Sequence, residues 1–421
     1  MTAPAPLTAT PARTATAVVT GIGVIAPTGT GTEAYWSATL DGRGAIAAIG
    51  RFDASGYPAT LAGEVPGFAA SEHLPGRLIP QTDRTTQMSL AATSWALADA
   101  EITPSELDEF GMGVVTAATA GGFEFGHYEL EKLCGRGNKH VSAYQSIAWF
   151  YAVNTGQISI HNGMRGPSGV LVSDHAGGLD AVAHARRQIR KGSDLIVSGG
   201  VDGAVCSWGL VAQWAAGTLS ESRDPSGAYL PFDLAASGYV PGEGGAILIV
   251  ENAASAVRRR APRIYGVIAG YASTFDPREG SGRAPGLRRA IELGLADAGI
   301  GPGDVDVVFA DAFGTPELDR IEVDAIACVF AAYGVPVTAP KTMTGRLFGG
   351  GAALDIAAAL LSIRDGVIPP TVNVDLAPGY PIDLVAGSAR TATVRTALVL
   401  ARGHRGFNSV AVIRSPEAIA A

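Results

Sequence analysis

The chain has 421 residues and a formal net charge of −8, so it is long enough for two core-forming halves. The acidic balance argues against a nucleic-acid-binding surface, which would be basic. The three cysteines, Cys134, Cys206 and Cys328, lack metal-type spacing, and their odd number argues against a disulfide framework, so a reducing cytoplasm is expected. No apolar stretch reaches the roughly 18 residues of a membrane span.

The chain opens with "MTAPAPLTATPARTATA", which is rich in Ala, Thr and Pro. It lacks the apolar core of a signal peptide. We therefore expect residues 1–14 to form a flexible tail that precedes the folded part of the chain.

The first half alternates strand-like and helix-like segments, a pattern typical of an α/β protein. The predicted strands are 15–26, 111–122, 168–173, 194–204 and 244–252. A helix is predicted over 177–192, directly after the third of these strands. The first half is expected to span 15–260.

The second half repeats this order over 261–417. The predicted strands are 263–274, 304–315, 396–406 and 408–415, with helices over 286–300 and 349–366. Since both halves end in two consecutive strands, we interpret the chain as an internal duplication, although any α/β protein alternates. The helix 349–366 has Ala and Gly on nearly every face, which indicates a central buried helix.

A polar corner interrupts the apolar run in "LVSDHAGGLD" (171–180), and small residues follow it. A strand that turns there into a helix would present one side chain over free backbone N–H groups, as nucleophile turns do. Cys or Ser is typical at such an apex, but this chain has His175. The corner is either a site with an unusual nucleophile or one that has lost its chemistry.

Two further stretches carry candidate site residues. "PFDLAASGYVPGEGGAILIVE" (231–251) places Glu243 among glycines in apolar surroundings, where a buried carboxylate needs a partner. "APKTMTGRLFGGGAALD" (339–355) places Lys341 at a strand end and Arg346 just before the small-residue helix. Neither the Walker spacing nor the dinucleotide spacing is present, so a nucleotide site is not expected.

These motifs together resemble the β-ketoacyl synthase family from about residue 15 to 415. The segments that carry the resemblance are "VTGIGVIAPTG", "GPSGVLVS", "GYVPGEGGAILIVE", "APKTMTG" and "GHRGFNS". The stretch 143–169 resembles the type II synthases of aromatic polyketides, in which a ketosynthase pairs with a homologous chain-length factor. The resemblance implies a duplicated thiolase-type fold, layered α-β-α-β-α.

The resemblance also locates three substitutions. A working condensing enzyme has Cys at the apex and two histidines facing it, and this chain has His175, Asp311 and Arg346 at those positions, with Lys341 retained. His175 cannot form a stable acyl-thioester, and Asp311 would repel a malonyl carboxylate. We expect the three side chains to converge, Asp311 and Arg346 to pair, and Glu243 and Lys341 to share one polar region.

The replacement of the ketosynthase cysteine resembles that in chain-length factors, which lack this cysteine. The resemblance implies a non-condensing subunit that pairs with a Cys-containing ketosynthase and shapes the tunnel for the growing poly-β-ketone. It implies no cofactor of its own, because substrates arrive on the phosphopantetheine of an acyl carrier protein. Three alternatives stay open: a malonyl decarboxylase that primes the partner, a ketosynthase with His as nucleophile, and a purely structural partner.

Two segments are candidates for contact with partner and product. Trp149, Phe150 and Tyr151 lie in one apolar run and are expected at the partner interface, unless they form an ordinary core segment. Phe123, Gly126 and Leu130 share one helical face, which the resemblance implies looks into the tunnel. Phe123 would act as a gate and the tunnel would continue past Gly126 and Leu130, unless this face is ordinary helix packing.

Overall fold

The computed structural model describes residues 15–278 and 280–419, so the expected tail 1–14 lies outside the described residues. The strands are Ala17–Ala26 (β1), Gly29–Thr30 (β2), Ile46–Ala48 (β3), Leu61–Gly63 (β4), Met112–Ala117 (β5), Ser168–Leu171 (β6), Leu195–Asp202 (β7), Gly244–Asn252 (β8), Gly266–Phe275 (β9), Val307–Phe309 (β10), Pro336–Thr338 (β11), Val367–Ile368 (β12), Asp383–Leu384 (β13), Arg390–Thr391 (β14), Thr396–Arg402 (β15) and Phe407–Arg414 (β16).

The α-helices are Thr32–Leu40 (α1), Arg84–Asp99 (α2), Phe123–Arg136 (α3), Gln145–Ala148 (α4), Val153–Asn162 (α5), Gly177–Arg190 (α6), Ser207–Trp214 (α7), Ala253–Arg258 (α8), Leu287–Ala298 (α9), Pro316–Phe330 (α10) and Gly349–Asp365 (α11). In the part of the chain that the structure describes, no helix is long and apolar enough to cross a membrane.

The two halves of the chain have the same strand order. The first half runs β6-β5-β7-β8-β1 across its sheet, and the second runs β11-β10-β15-β16-β9, so these five strands correspond one to one. The second half adds the short strand β13 beyond β11. The two parts join through a short antiparallel contact between β1 and β9, in which Val18 pairs with Val267 and Val19 with Gly266. This shared topology is what the predicted internal duplication requires. The division at residue 260 stays a prediction.

Helices and sheets alternate in five layers. The helices α6 and α11 lie in the middle and share one buried core with the inner faces of both halves of the sheet. Helices α2 and α5 cover the outer face of the first half, and α9 and α10 cover that of the second. The predicted thiolase-type α-β-α-β-α sandwich is therefore confirmed.

The central position of α11 depends on its small residues. A Cβ atom on Gly350 would lie 2.0 Å from the carbonyl oxygen of Gly244, and one on Gly245 would lie 2.1 Å from that of Gly200. Gly244 and Gly245 also have φ values of 123° and 149°, which L side chains rarely adopt. The glycine-rich stretch therefore allows β8 to pack closely against the start of α11. Arg346 lies in the loop directly before this contact.

The predicted strands and the three predicted helices are present, mostly shortened by a few residues at their ends. The predicted strand 304–315 is shorter still, because only Val307–Phe309 pairs in the sheet and the following residues turn toward the site. Helices α2, α3, α5 and α10 were not predicted as elements of the layers, although α2 and α10 supply much of the outer cores.

Candidate functional site

The polar corner lies where the edge strand β6 ends and α6 begins. His175 occupies a short 3-10 turn, residues 174–176, directly before α6. Asp174 precedes it with a φ of 53°, a conformation uncommon for residues other than glycine. The Asp174 carboxylate accepts a hydrogen bond of 2.6 Å from the backbone N–H of His404, which holds the corner against the hairpin of β15 and β16.

The His175 imidazole lies among three aromatic rings. It stacks on Phe348 with ring centroids 5.1 Å apart, and it meets Tyr239 and Phe313 edge-on at 5.7 and 6.4 Å. Burial lowers the pKa of His175 to about 4, and the positive charge of Arg346 acts in the same direction. The imidazole is therefore uncharged at neutral pH.

Asp311 and Arg346 form a buried ion pair next to this ring. Two guanidinium nitrogens of Arg346 donate to the carboxylate, at 2.9 Å to Oδ1 and 3.3 Å to Oδ2. The backbone N–H of Arg402 also donates to Oδ1 at 2.9 Å. Burial raises the pKa of Asp311, but the charges of Arg346 and Lys341 outweigh it and hold that pKa below its ordinary value.

The backbone that carries Asp311 is fixed from behind by Glu322 on α10. Its two carboxylate oxygens accept hydrogen bonds of 2.7 and 2.8 Å from the N–H groups of Asp311 and Ala312. Lys341 has a separate counter-ion, because its ammonium group lies 2.7 Å from the carboxylate of Asp355 on α11 and also donates to a backbone carbonyl. The retained lysine thus links the site to the central helix.

Glu243 and Lys341 are both buried, and each has its own counter-ions. The Glu243 carboxylate accepts hydrogen bonds from Arg51 at 2.7 Å and from Arg84 at 2.9 Å, and another from the backbone N–H of Val65. The two residues share no hydrogen-bonding partner among the described residues. Their membership of one polar region stays a prediction.

Two cavities meet at His175 and Phe348, which line both of them. The smaller one, of about 20 Å³, is also lined by Asp311, Lys341 and Arg346, and it has room for about one water molecule. The larger one, of about 300 Å³, extends from His175 to Phe123 at the start of α3. The structure therefore brings together the three residues at the nucleophile and histidine positions.

Of the three expected tunnel residues, the structure places only Phe123 at a cavity. Its ring stacks on Trp208 with centroids 4.4 Å apart. A Cβ atom on Gly126 would lie 2.6 Å from Cδ1 of Trp149, so the indole covers that position. Leu130 is 41% exposed. Trp149 therefore fills the space over Gly126 in this chain, and the assignment of this face to the tunnel stays a prediction.

An aromatic surface lies beside α3. Trp149, Phe150 and Tyr151 are 47%, 48% and 44% exposed, so they do not form an ordinary core segment. We define the aromatic surface by these three residues together with Tyr128, Leu130, Leu133, Tyr144 and Ile147, all exposed. Its role as a partner interface stays a prediction.

The rings around His175 are not predicted from the sequence. Tyr239 lies four residues before Glu243, Phe313 lies two residues after Asp311, and Phe348 lies two residues after Arg346. An aromatic residue within four positions of a site residue is the signal available in each stretch. Phe348 has a φ of 48°, which no local sequence pattern predicts.

Family models match both halves of this chain. The β-ketoacyl synthase N-terminal domain matches residues 15–256, and the C-terminal domain matches residues 265–375. The chain belongs to the β-ketoacyl synthase family. Within this family, several of its curated relatives are polyketide synthase subunits that match it over nearly its whole length.

The chain is 60% identical to the tetracenomycin polyketide synthase ketoacyl synthase beta subunit of Streptomyces glaucescens, over 98% of this chain and 99% of that one. It is 59% identical to the actinorhodin polyketide putative beta-ketoacyl synthase 2 of Streptomyces coelicolor, over 94% and 98% of the two chains. Among solved structures, the ishigamide ketosynthase/chain length factor matches with a TM-score of 0.87 and 30% identity, over 95% of this chain and 99% of that one.

A second solved structure is a type II polyketide synthase acyl-carrier protein in complex with its ketosynthase bound to the hexaketide. It matches with a TM-score of 0.86 and 27% identity, over 96% of this chain and 100% of that one. These matches place the chain, by sequence and by fold, among ketosynthase beta subunits of type II polyketide synthases.

The charged groups of the site are paired with one another. Two nitrogens of Arg346 donate to the carboxylate and backbone oxygens of Asp311, so those donors are not free to meet an oxyanion. The Asp311 anion is neutralised, and His175 carries no charge. The arrangement is a buried ion pair beside one neutral ring.

The buried ion pair generates a stability prediction. Replacing Asp311 with Ala leaves the Arg346 charge buried without its partner, and we expect a loss of about 3–5 kcal/mol in the free energy of unfolding. The double variant Asp311→Leu with Arg346→Met removes both charges and should recover most of that loss. Urea unfolding of the purified protein measures both, and equal losses in the two variants would contradict the argument.

Proposed function

We propose that this chain is the non-condensing chain-length-factor subunit of a type II polyketide synthase. It pairs with a homologous, Cys-containing ketosynthase and shapes the tunnel in which the poly-β-ketone grows. The observation that carries this proposal is the corner itself: its apex holds the uncharged His175 beside the buried Asp311–Arg346 ion pair. The family resemblance assigns these three residues to the positions of the cysteine and the two histidines. The relatives named above support it as beta subunits of polyketide synthases.

The subunit is catalytically inactive alone under this proposal. It needs no cofactor of its own, because malonyl units and the growing chain arrive on the phosphopantetheine of an acyl carrier protein. The solved complex of a type II acyl-carrier protein with its ketosynthase supports delivery of this kind. The partner supplies the nucleophile, and this chain contributes side chains that line the tunnel.

The tunnel is assigned to the face of α3 that carries Phe123, Gly126 and Leu130. Phe123 closes one end of the 300 Å³ cavity, whereas Gly126 is covered by Trp149 and Leu130 is exposed at the surface. Trp149 is itself about half exposed, so a partner that packs on the aromatic surface can change its position. The side chains of this face then limit the free volume, and with it the length of the chain.

Leu130→Phe is expected to shorten the main product while condensation continues, because the ring fills the tunnel beyond Phe123. The measurement is mass spectrometry of products from the heterodimer reconstituted with carrier protein and malonyl units. Leu293→Phe on α9 is the matched control, since Leu293 is 42% exposed and lies outside the assigned face. If the product of the Leu130→Phe heterodimer has unchanged length and the heterodimer forms in normal yield, this face of α3 is ordinary helix packing and not a tunnel wall.

The aromatic surface is assigned to the partner interface. So much exposed apolar area is unusual on a monomer, and an interface of the obligate class buries about 2,000 Å² or more. The edge strand β6 supports an interface on the same half of the molecule, because its burial is incomplete and only β5 pairs with it among the described residues.

Phe150→Glu is expected to lower co-purification of the partner by about tenfold or more, because a carboxylate buried at the interface lacks a counter-ion. Phe110→Glu is the matched control, since Phe110 is 63% exposed and lies outside the aromatic surface. The amount of partner retained on tagged subunit is the readout. Equal retention in both variants would remove Phe150 from the interface.

A malonyl decarboxylase that primes the partner is the second candidate function. It is favoured by one observation, that the His175 ring lines the larger cavity and could bind a thioester oxygen there. We expect no such activity, because the neighbouring charges are already paired with each other. The assay is CO₂ release from malonyl-carrier protein by heterodimer whose partner cysteine is replaced. Release above the background of carrier protein alone, abolished by His175→Phe, would establish the second candidate instead.

A further inference from the structure

The larger cavity has the features of a small-molecule site in its own right. Its volume of about 300 Å³ reaches the lower end of the range of ligand pockets. The lining combines four aromatic residues with alanine and glycine: Phe123, Tyr239, Phe313, Phe348, Ala120, Ala204, Gly209, Ala212 and Ala216. Ala212 and Ala216 are exposed, so the cavity opens to the surface along α7 and the turn after it.

His175 is a buried polar group that no described residue satisfies. The residue is 6% exposed, and neither ring nitrogen has a hydrogen-bonding partner among the residues that the structure describes. A neutral imidazole offers one donor and one acceptor, and both remain available to a ligand. Since the ring lines the cavity, an occupant of that cavity could use both groups.

Two other polar side chains of the cavity, Gln213 and Asp174, are already engaged, and Thr218 and His404 complete its polar lining. Gln213 donates to the backbone carbonyls of Ala204 and Gly209, and it accepts from the hydroxyl of Tyr239. Asp174 accepts from the backbone of His404. Among the described residues, no lysine or arginine lines this cavity, so nothing there offsets the charge of an anion.

We propose that this cavity binds a flat, uncharged aromatic molecule whose hydroxyl or carbonyl group hydrogen-bonds to His175. The aromatic walls suit a ring, since aromatic pairs gain from stacked and edge-to-face contacts beyond the area they bury. The single unsatisfied imidazole suits one polar substituent. The site is a binding activity of this subunit that requires no condensation, and it rests on the proposed function only in that Phe123, which is assigned to the tunnel, also lines the cavity.

The test uses the purified heterodimer with 2-naphthol as the probe and naphthalene as the same ring without the hydroxyl. Binding is measured by equilibrium dialysis. We expect saturable binding of 2-naphthol and weaker binding of naphthalene. His175→Phe keeps an aromatic ring against Phe348 but removes both nitrogens, so it should weaken 2-naphthol about tenfold and leave naphthalene unchanged.

A second pair of variants keeps the proposal falsifiable if His175→Phe folds poorly. Ala212→Phe places a ring at the mouth of the cavity and should abolish binding of both probes. Ala215→Phe is its matched control, because Ala215 is exposed on the next turn but does not line the cavity. The proposal is overturned if 2-naphthol binds no better than naphthalene, if His175→Phe leaves its affinity unchanged, or if Ala212→Phe and Ala215→Phe behave alike. Product formation is not measured, so this outcome is separate from that of the proposed function.

Discussion

The Asp311–Arg346 ion pair is the interaction on which the character of the site depends. The two side chains are 3% and 2% exposed, and both belong to backbone segments that the fold forces together: the turn after β10 and the loop before α11. Desolvating two charges is costly, and it is offset only when the geometry is good and the remaining polar atoms find partners. The backbone N–H of Arg402 supplies one such partner to Asp311, and backbone carbonyls supply others to Arg346.

That pair adds to the effect of burial on His175. Burial is the larger cause of its lowered pKa, and the positive charge of Arg346 acts in the same direction, while the charge of Asp311 opposes it. The histidine is consequently a neutral ring packed on Phe348, rather than an acid or a base suited to neutral pH.

Much of the site could be predicted because its residues lie in motifs with a fixed order along the chain. The corner at His175, the strand end at Asp311 and the loop at Arg346 each adjoin a strand or helix whose pattern is evident in the sequence. The partners of Glu243 could not be predicted, since Arg51 and Arg84 lie 192 and 159 residues away and only the folded chain brings them close. The position of Trp149 over Gly126 could not be predicted for the same reason. A glycine in the sequence indicates that space is available next to the backbone, but it does not indicate which residue occupies that space.

The interior of the site and the aromatic surface differ in what they leave without a partner. Inside, the charges of Asp311 and Arg346 are paired with each other, whereas the imidazole of His175 has no hydrogen-bonding partner among the described residues. At the aromatic surface, apolar side chains remain in contact with water that a second surface could remove. Helix α3 reaches both regions, with Phe123 at the larger cavity and Leu130 at the surface, so one helix connects the cavity with the exposed apolar side chains.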